Sequence, residues 1–201
     1  MTAHHPASHG SSSDAERRPI PDAPVSRPGP APHRRPGDGW VQCACGGRHW
    51  GLHGAAGLLL ARRTPDGAVD AVVLQHRALW SDQGGTWGVP GGAIGPDESA
   101  EQGALRESAE EAGIPGSVAR VLGSVVLDHG TWSYTTVLAE ALHPFEPAAT
   151  DAESLEVRWV AADDVADLPL LTAFGEAWPH LRARIESAPT HPTTTGESPC
   201  T

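Results

Sequence analysis

Apolar residues in the middle of the chain follow the two-residue period of strands and are interrupted by turn-forming residues. This pattern predicts five strands, at residues 54–61, 69–76, 118–128, 132–140 and 155–161. The first stretch is apolar at nearly every position, which is typical of a strand buried on both faces of a sheet. The Thr-Pro-Asp-Gly sequence at 64–67 predicts the turn that joins it to the second strand.

Near the C-terminus, apolar residues recur at three- and four-residue intervals, which indicates an amphipathic helix. The residues concerned are Leu171, Phe174, Trp178, Leu181 and Ile185. Pro179 falls inside this helix and is expected to kink or divide it, because proline has no N–H for the helical hydrogen bond. A short helical turn is expected just before it, at residues 163–168.

A second helix is predicted within residues 91–114. Asp97 or Ser99 is expected to cap its N-terminus, and Gly113 is placed to end it in a left-handed conformation. One side of this helix carries small or apolar residues that suit close packing on a sheet, namely Ala104, Leu105, Ser108 and Ala112. The other side carries the charges that distinguish this segment.

Three carboxylates, Glu107, Glu110 and Glu111, share that charged face, because residues three and four apart are neighbours on a helix. Like charges at this spacing cost roughly 0.2–0.5 kcal/mol per pair, and burial raises the cost. A hard divalent cation such as Mg²⁺ prefers oxygen ligands and would turn the repulsion into attraction. Gly91 and Gly92 precede the helix and let a ligand approach the backbone closely. The alternative interpretation is a solvated acidic helix that holds no ligand.

The spacing of these residues resembles the Nudix box. The family pattern is a Gly, five residues, a Glu, seven residues, and then Arg-Glu-apolar-any-Glu-Glu-any-Gly-apolar. The matching residues are Gly92, Glu98, Arg106, Glu107, Glu110, Glu111, Gly113 and Ile114. The family usually has an aliphatic residue at the position of Ser108, which faces the packing side. A preceding W-x-x-P-G-G run at 87–92 extends the resemblance.

The resemblance implies an α/β fold, a Nudix-like α/β/α sandwich with a mixed β-sheet between helices. It also implies an Mg²⁺-dependent pyrophosphohydrolase, with Mn²⁺ able to substitute, that cleaves a phosphoanhydride bond in a nucleoside diphosphate derivative or a (d)NTP. The expected metal ligands are the Gly91 carbonyl with Glu107, Glu110 and Glu111. Arg106 is expected to fix the carboxylate geometry, and Gly92, Glu98 and Gly113 to support the box.

The general base and the substrate contacts are less well defined by the sequence. Glu107 is the first candidate for the base, and Glu153, in the loop before the last strand, is the second. Arg77 is a candidate phosphate clamp. Aromatic side chains stack on nucleobases, and the candidates for this role are Trp80, Trp132 and Tyr134. The sequence signatures of family members that cleave ADP-ribose, dinucleoside polyphosphates or coenzyme A are absent or poorly matched. The alternative function is a non-catalytic nucleotide-binding regulator on the same fold.

The composition of the chain argues against several classes of function. The net charge of −11 argues against a nucleic-acid binder, which needs a basic surface. No lysine is present, which excludes a GxxxxGK phosphate-binding loop and Schiff-base chemistry.

No apolar run approaches the ~18 residues of a membrane span, and cytoplasmic residence is expected. The sequence predicts disordered tails at 1–39 and 187–201 around a domain at 40–186, and leaves the oligomeric state open, a homodimer included.

Two cysteines and two histidines follow Trp40, namely Cys43, Cys45, His49 and His53. They could bind zinc, although zinc sites usually have cysteines two to four apart and a second pair further along the chain. The favoured alternative is a buried turn anchored by Trp40 and Trp50. The odd number of cysteines, three, argues against a disulfide framework.

Overall fold

The structure, a computed structural model, describes residues 35–189. Most of the two predicted tails lies outside these residues, so the domain limits stay predictions. The strands are β1 Trp40–Gln42, β2 Arg48–Trp50, β3 Ala55–Arg63, β4 Val69–Arg77, β5 Trp87–Gly88, β6 Gly91–Ala93, β7 Ala119–Asp128, β8 Ser133–Ala141 and β9 Ser154–Ala161. The helices are α1 Ala100–Ala112 and α2 Thr172–Glu186, with short 3₁₀ turns at Gly116–Val118 and Val165–Asp167.

Seven of the strands form one mixed sheet. Its main order is β5-β4-β3-β8-β7, while β6 pairs with β3 and β9 pairs with β4. The central pair, β3 and β8, is parallel, with Ala55 opposite Tyr134, and the other pairs are antiparallel. All five strands expected from the hydrophobic pattern are present, with ends that differ by one or two residues.

The sheet is covered on both faces, which confirms the α/β/α sandwich. On one face, Leu59 and Leu74 pack with the apolar side of α2. On the other face, Leu58 and Leu60 pack with Ala104 and other small residues of α1. Alternate residues of β3 therefore enter different cores, which explains why this strand is apolar at nearly every position.

Helix α2 runs without interruption through Pro179, so the expected division at this proline is wrong. Its apolar side chains Phe174, Trp178, Leu181 and Ile185 are between 0 and 6% exposed. Tertiary burial of this kind contributes more to helix stability than one missing hydrogen bond removes. Among residues 35–189, no helix is long and apolar enough to cross a membrane.

The segment expected to be a buried turn is a separate two-stranded hairpin, β1–β2. Trp40 lies opposite Trp50, with an edge-to-face contact of 5.4 Å between ring centroids, but Trp40 is 40% exposed. The short strands β5 and β6 were also missed, because two or three residues are too few to show a period. Strand β6 is important for the site, because it places Gly91 and Gly92 beside β3.

Candidate active site

Helix α1 has well-defined ends. Of the two expected N-caps, Ser99 is the residue used: its hydroxyl accepts from Gln102 N–H at 3.1 Å, and the Gln102 side chain accepts from Ser99 N–H at 2.8 Å. This reciprocal capping box satisfies two backbone donors that the helix leaves unpaired. Gly113 ends the helix at a φ of +63°, a conformation that favours glycine. The two caps define where α1 begins and ends, and so help to set which way its carboxylates face.

Arg106 is the organising cation of the site. Its guanidinium donates to both carboxylate oxygens of Glu98, at 2.6 and 2.8 Å, and to Glu107 Oε1 at 2.6 Å. Further contacts reach Glu110 Oε2 at 3.3 Å and the Ala93 carbonyl at 3.0 Å. Arg106 therefore contacts Glu98, Glu107 and Glu110 together, and it also joins α1 to β6.

Glu98 is held as an anion by this arrangement. The hydrogen bonds from Arg106 lower its pKa to about 2, and a hydrogen bond from Gly95 N–H at 2.9 Å acts in the same direction. Glu98 therefore anchors the arginine and the loop before the helix, which is consistent with its expected supporting role.

Gly91 and Gly92 bring the backbone against the helix carboxylates. Gly91 N–H donates to Glu111 Oε2 at 2.9 Å. A Cβ on Gly92 would lie 2.7 Å from Glu107 Cδ, and a Cβ on Gly91 would lie 2.4 Å from the Ala56 carbonyl oxygen. No larger residue fits at either position without displacing the carboxylate or β3.

The three expected metal ligands differ in burial. Glu111 is 5% exposed, and the side chains of Glu107 and Glu110 are 15% and 37% exposed. Burial raises the pKa of Glu111 well above its usual value, and the negative charge of Glu107 raises it further. Burial also raises the pKa of Glu107, although Arg106 opposes the shift.

These carboxylates fit a hard divalent cation. Their carboxylate oxygens lie on one side of α1 and are the donor type that Mg²⁺ and Mn²⁺ prefer. Burial raises the pKa of Glu107 and of Glu111, and the charge of a neighbouring carboxylate raises each further. A cation bound here would supply the missing positive charge.

Glu153 lies close to this set of residues. The preceding loop packs on the end of α1, where Thr150 N–H and Ser154 Oγ donate to the Glu111 carbonyl at 3.1 and 3.4 Å. Burial and Asp151 raise the pKa of Glu153, and the charge of Glu153 contributes to the raised pKa of Glu111. The two candidate bases therefore share one site, and the choice between them stays open.

Tyr134 and Arg77 also face the site. The Tyr134 hydroxyl lies against Gly57, where a Cβ would come within 2.2 Å of it. Burial raises the pKa of Tyr134, the charge of Glu111 raises it further, and Arg77 opposes the shift. The Arg77 guanidinium donates to the Asp82 carbonyl at 3.2 and 3.3 Å. Their roles as substrate contacts stay predictions.

The two tryptophan candidates lie in different surroundings. The Trp132 ring stacks on His49, with centroids 4.2 Å apart and planes 15° apart, and its Nε1–H donates to the Trp50 carbonyl at 3.1 Å. Trp132 is therefore held against strand β2. Trp80 is 61% exposed in the loop after β4.

Two residues at the site were not expected from the sequence. Arg35 contacts Glu110 Oε2 at 2.7 Å, although it lies in the segment predicted to be a tail. Gln75 is 1% exposed on β4, and its Nε2–H donates to Ser154 Oγ at 2.9 Å. Its Oε1 has no hydrogen-bond partner among the described residues. A glutamine directly after the apolar run 71–74 of β4 was the signal for Gln75, whereas Arg35 had no local signal.

Comparison with known proteins identifies the family. The family model of the NUDIX domain matches residues 51–181, well over half of the chain. The chain belongs to the Nudix family. The fold and the hydrolase class, acting on phosphoanhydride bonds, are thereby confirmed as predicted.

Two curated relatives and one solved Nudix structure show how far the similarity extends. A nucleoside triphosphate pyrophosphatase/Nudix hydrolase fusion protein of Bifidobacterium longum is 55% identical over 78% of this chain, but the match spans only 33% of that protein. A putative 8-oxo-dGTP diphosphatase 3 of Mycobacterium tuberculosis is 49% identical over 78% of this chain and 74% of its own length. The crystal structure of RenU, a Nudix hydrolase from M. smegmatis, is 47% identical with a TM-score of 0.70, covering 78% of this chain and 99% of that one.

Proposed function

We propose that this Nudix protein is an Mg²⁺-dependent pyrophosphohydrolase of nucleoside triphosphates, with Mn²⁺ able to substitute for Mg²⁺. The observation that carries the proposal is the acidic face of α1, where Glu111 accepts a hydrogen bond from Gly91 N–H, Glu107 lies against Gly92, and Glu110 is bound by Arg106. Burial raises the pKa of Glu107 and of Glu111, and the charges of Glu110 and Glu107 respectively raise them further; a protein that only bound nucleotides as a regulator would not need such a face.

The residues of that face have different roles in the proposed reaction. Glu107, Glu110, Glu111 and the Gly91 carbonyl would hold Mg²⁺, which when bound neutralises phosphate charge and lowers the pKa of a coordinated water. Arg106 occupies Glu107 Oε1, so Oε2 is the oxygen that accepts a proton from the attacking water. Glu153 is the second candidate for that proton transfer, because it lies in the loop that packs on the same end of α1.

The name of one relative and the residues beside the carboxylates support a proposal for the substrate class. The M. tuberculosis relative is named for 8-oxo-dGTP, and we propose an oxidised purine deoxynucleoside triphosphate as the first substrate to test. Arg77 would bind a phosphate oxygen, and Tyr134 and Trp132 would contact the base or sugar. Water would cleave the bond between the α- and β-phosphates and leave a nucleoside monophosphate and pyrophosphate.

A nucleotide panel tests this function. Phosphate release is measured with and without an added pyrophosphatase, with Mg²⁺, with a chelator, and with Mg²⁺ restored after chelation. We expect release to require Mg²⁺ and the added pyrophosphatase, and to be fastest with 8-oxo-dGTP. Undiminished turnover in the chelator would contradict the mechanism. Binding without turnover across the panel would favour the alternative function, a non-catalytic nucleotide-binding regulator.

Cytoplasmic residence and the absence of a nucleic-acid partner stay predictions from the composition.

A further inference from the structure

Four side chains that the hydrolase site does not use converge at the β1–β2 hairpin. Cys43 and Cys45 lie in the turn of this hairpin and His49 on β2, while His129 lies in the turn between β7 and β8. Their sulfur and nitrogen atoms all lie within 4.8 Å of one another. The sequence had grouped the first three with His53, but the structure brings in His129 instead.

The contacts within this Cys/His cluster are not explained well by hydrogen bonds alone. His49 Nε2 lies 3.2 Å from Cys45 Sγ and 3.1 Å from His129 Nδ1. A neutral imidazole nitrogen carries either one hydrogen or one lone pair, so it makes one good hydrogen bond. Here two partners face the same nitrogen at hydrogen-bond distance. A cation at the centre of the cluster would accept lone pairs from all of them together.

We propose that Cys43, Cys45, His49 and His129 bind a structural zinc ion. With Zn–S of about 2.3 Å and Zn–N of about 2.0–2.1 Å, a tetrahedral site separates its ligand atoms by roughly 3.3–3.8 Å. The distances of 3.1 and 3.2 Å around His49 Nε2 are close to this range. A Cys₂His₂ set fills all four positions, which is typical of structural rather than catalytic zinc.

The surrounding residues support these four side chains as zinc ligands do elsewhere. Gly47 N–H donates to Cys45 Sγ at 3.4 Å, and Thr131 Oγ1 lies 3.5 Å from Cys43 Sγ. These contacts would stabilise the two thiolates. The Trp132 ring, stacked on His49, fixes the plane of that imidazole.

The zinc would fasten the hairpin to the main sheet. His49 and His129 are 80 residues apart in sequence, so an ion shared by them crosslinks β2 to the turn after β7. The hairpin is short, and Trp40 in it is 40% exposed, so the hairpin itself buries little apolar surface. Metal binding of this kind contributes directly to folding stability.

The test measures zinc in the full chain, expressed without a histidine tag in zinc-supplemented medium and purified in reductant with a weak chelator. We expect about one zinc per chain by elemental analysis. His129→Gln and Cys45→Ser should lose at least about four-fifths of it and lower Tm by on the order of 5 °C. His53→Gln, a nearby histidine outside the cluster, is the matched control and should keep the zinc.

Cobalt provides a second measurement that does not depend on a variant folding. Wild-type protein loaded with Co²⁺ should show the intense visible bands of a tetrahedral site and a thiolate-to-cobalt charge-transfer band. A wild-type chain that purifies without zinc and gives only a weak octahedral cobalt spectrum would overturn the proposal. Equal zinc in wild type and His129→Gln would also overturn it, because the ion would then be bound elsewhere.

Discussion

The acidic face of α1 and the Cys/His cluster both bring together side chains of types that ligate metals, but they are assembled in different ways. The acidic face takes its side-chain donors from one helix, at Glu107, Glu110 and Glu111. The cluster takes its donors from two turns and a strand that are up to 86 residues apart. The first has hard oxygen donors and repelling charges, whereas the second has sulfur and nitrogen donors in a closed set.

This difference in assembly limits what each site can do. A helix sets the spacing of its carboxylates before tertiary structure forms, and those carboxylates leave room for substrate phosphates and water on a cation. The cluster forms only after β7–β8 and the hairpin have met, and four protein ligands leave no position for a substrate. We therefore assign chemistry to the acidic face and stability to the cluster, and the predictions below test this division.

The largest effect is expected at the general base. Glu107→Gln should lower kcat by roughly 10²–10⁴-fold, because it removes the proton acceptor, and excess Mg²⁺ should not restore the rate. Glu153→Gln should cost much less, and both variants should keep the zinc content of the wild type. A large, Mg²⁺-insensitive loss in Glu153→Gln, with rescue of Glu107→Gln by Mg²⁺, would instead assign the base to Glu153.

Among the substitutions considered, removal of the Arg106 guanidinium should have the largest effect on stability. Arg106→Ala leaves Glu98 and Glu107 without their partner and should lower the free energy of unfolding by about 2–4 kcal/mol. Denaturant unfolding measures this. Arg158→Ala breaks the more exposed pair with Glu156 and serves as the control, with an expected loss below about 1 kcal/mol. Equal losses would show that the arginine network adds little.

Acid should weaken the network around Glu98. Its pKa is about 2 in the folded protein and near 4.5 when unfolded, so its contribution is present above pH 4.5 and lost as pH falls through the folded value. Because the carboxylate is partly exposed, we expect about 1–2 kcal/mol from this source. Stability measured from pH 6 to 2 should fall less steeply in Glu98→Gln. An unchanged slope would contradict the assignment.

Removing a buried charge should stabilise the metal-free protein. Glu111→Gln removes the cost of burying a carboxylate and its repulsion from Glu107, and in a chelator of Mg²⁺ we expect stability to rise by about 1 kcal/mol. The increase in Tm on adding Mg²⁺ should become smaller. Glu101→Gln, on the exposed first turn of the same helix, should leave that Mg²⁺ response intact. A normal response in Glu111→Gln would remove this residue from the ligand set.

The smallest effect is expected at Arg35. Its contact with Glu110 is between side chains that are 47% and 37% exposed, so Arg35→Ala should change stability by less than about 1 kcal/mol. Because Arg35 competes with a cation for this carboxylate, half-maximal Mg²⁺ for activity should fall modestly. Arg184→Ala, on the exposed side of α2, should leave it unchanged. A higher Mg²⁺ requirement in Arg35→Ala would show that the arginine supports the site.

The sequence predicted the five longer strands, both helices and the acidic face, because periodicity, caps and the spacing of Glu107, Glu110 and Glu111 are local properties. It left open whether Pro179 would kink or divide α2, and the core packed around the helix keeps α2 undivided. Long-range contacts alone decided that Arg35 reaches Glu110 and that His129, and not His53, completes the cluster. These contacts join residues that are far apart in the chain and are not paired in the sheet, so no short stretch of sequence indicates them.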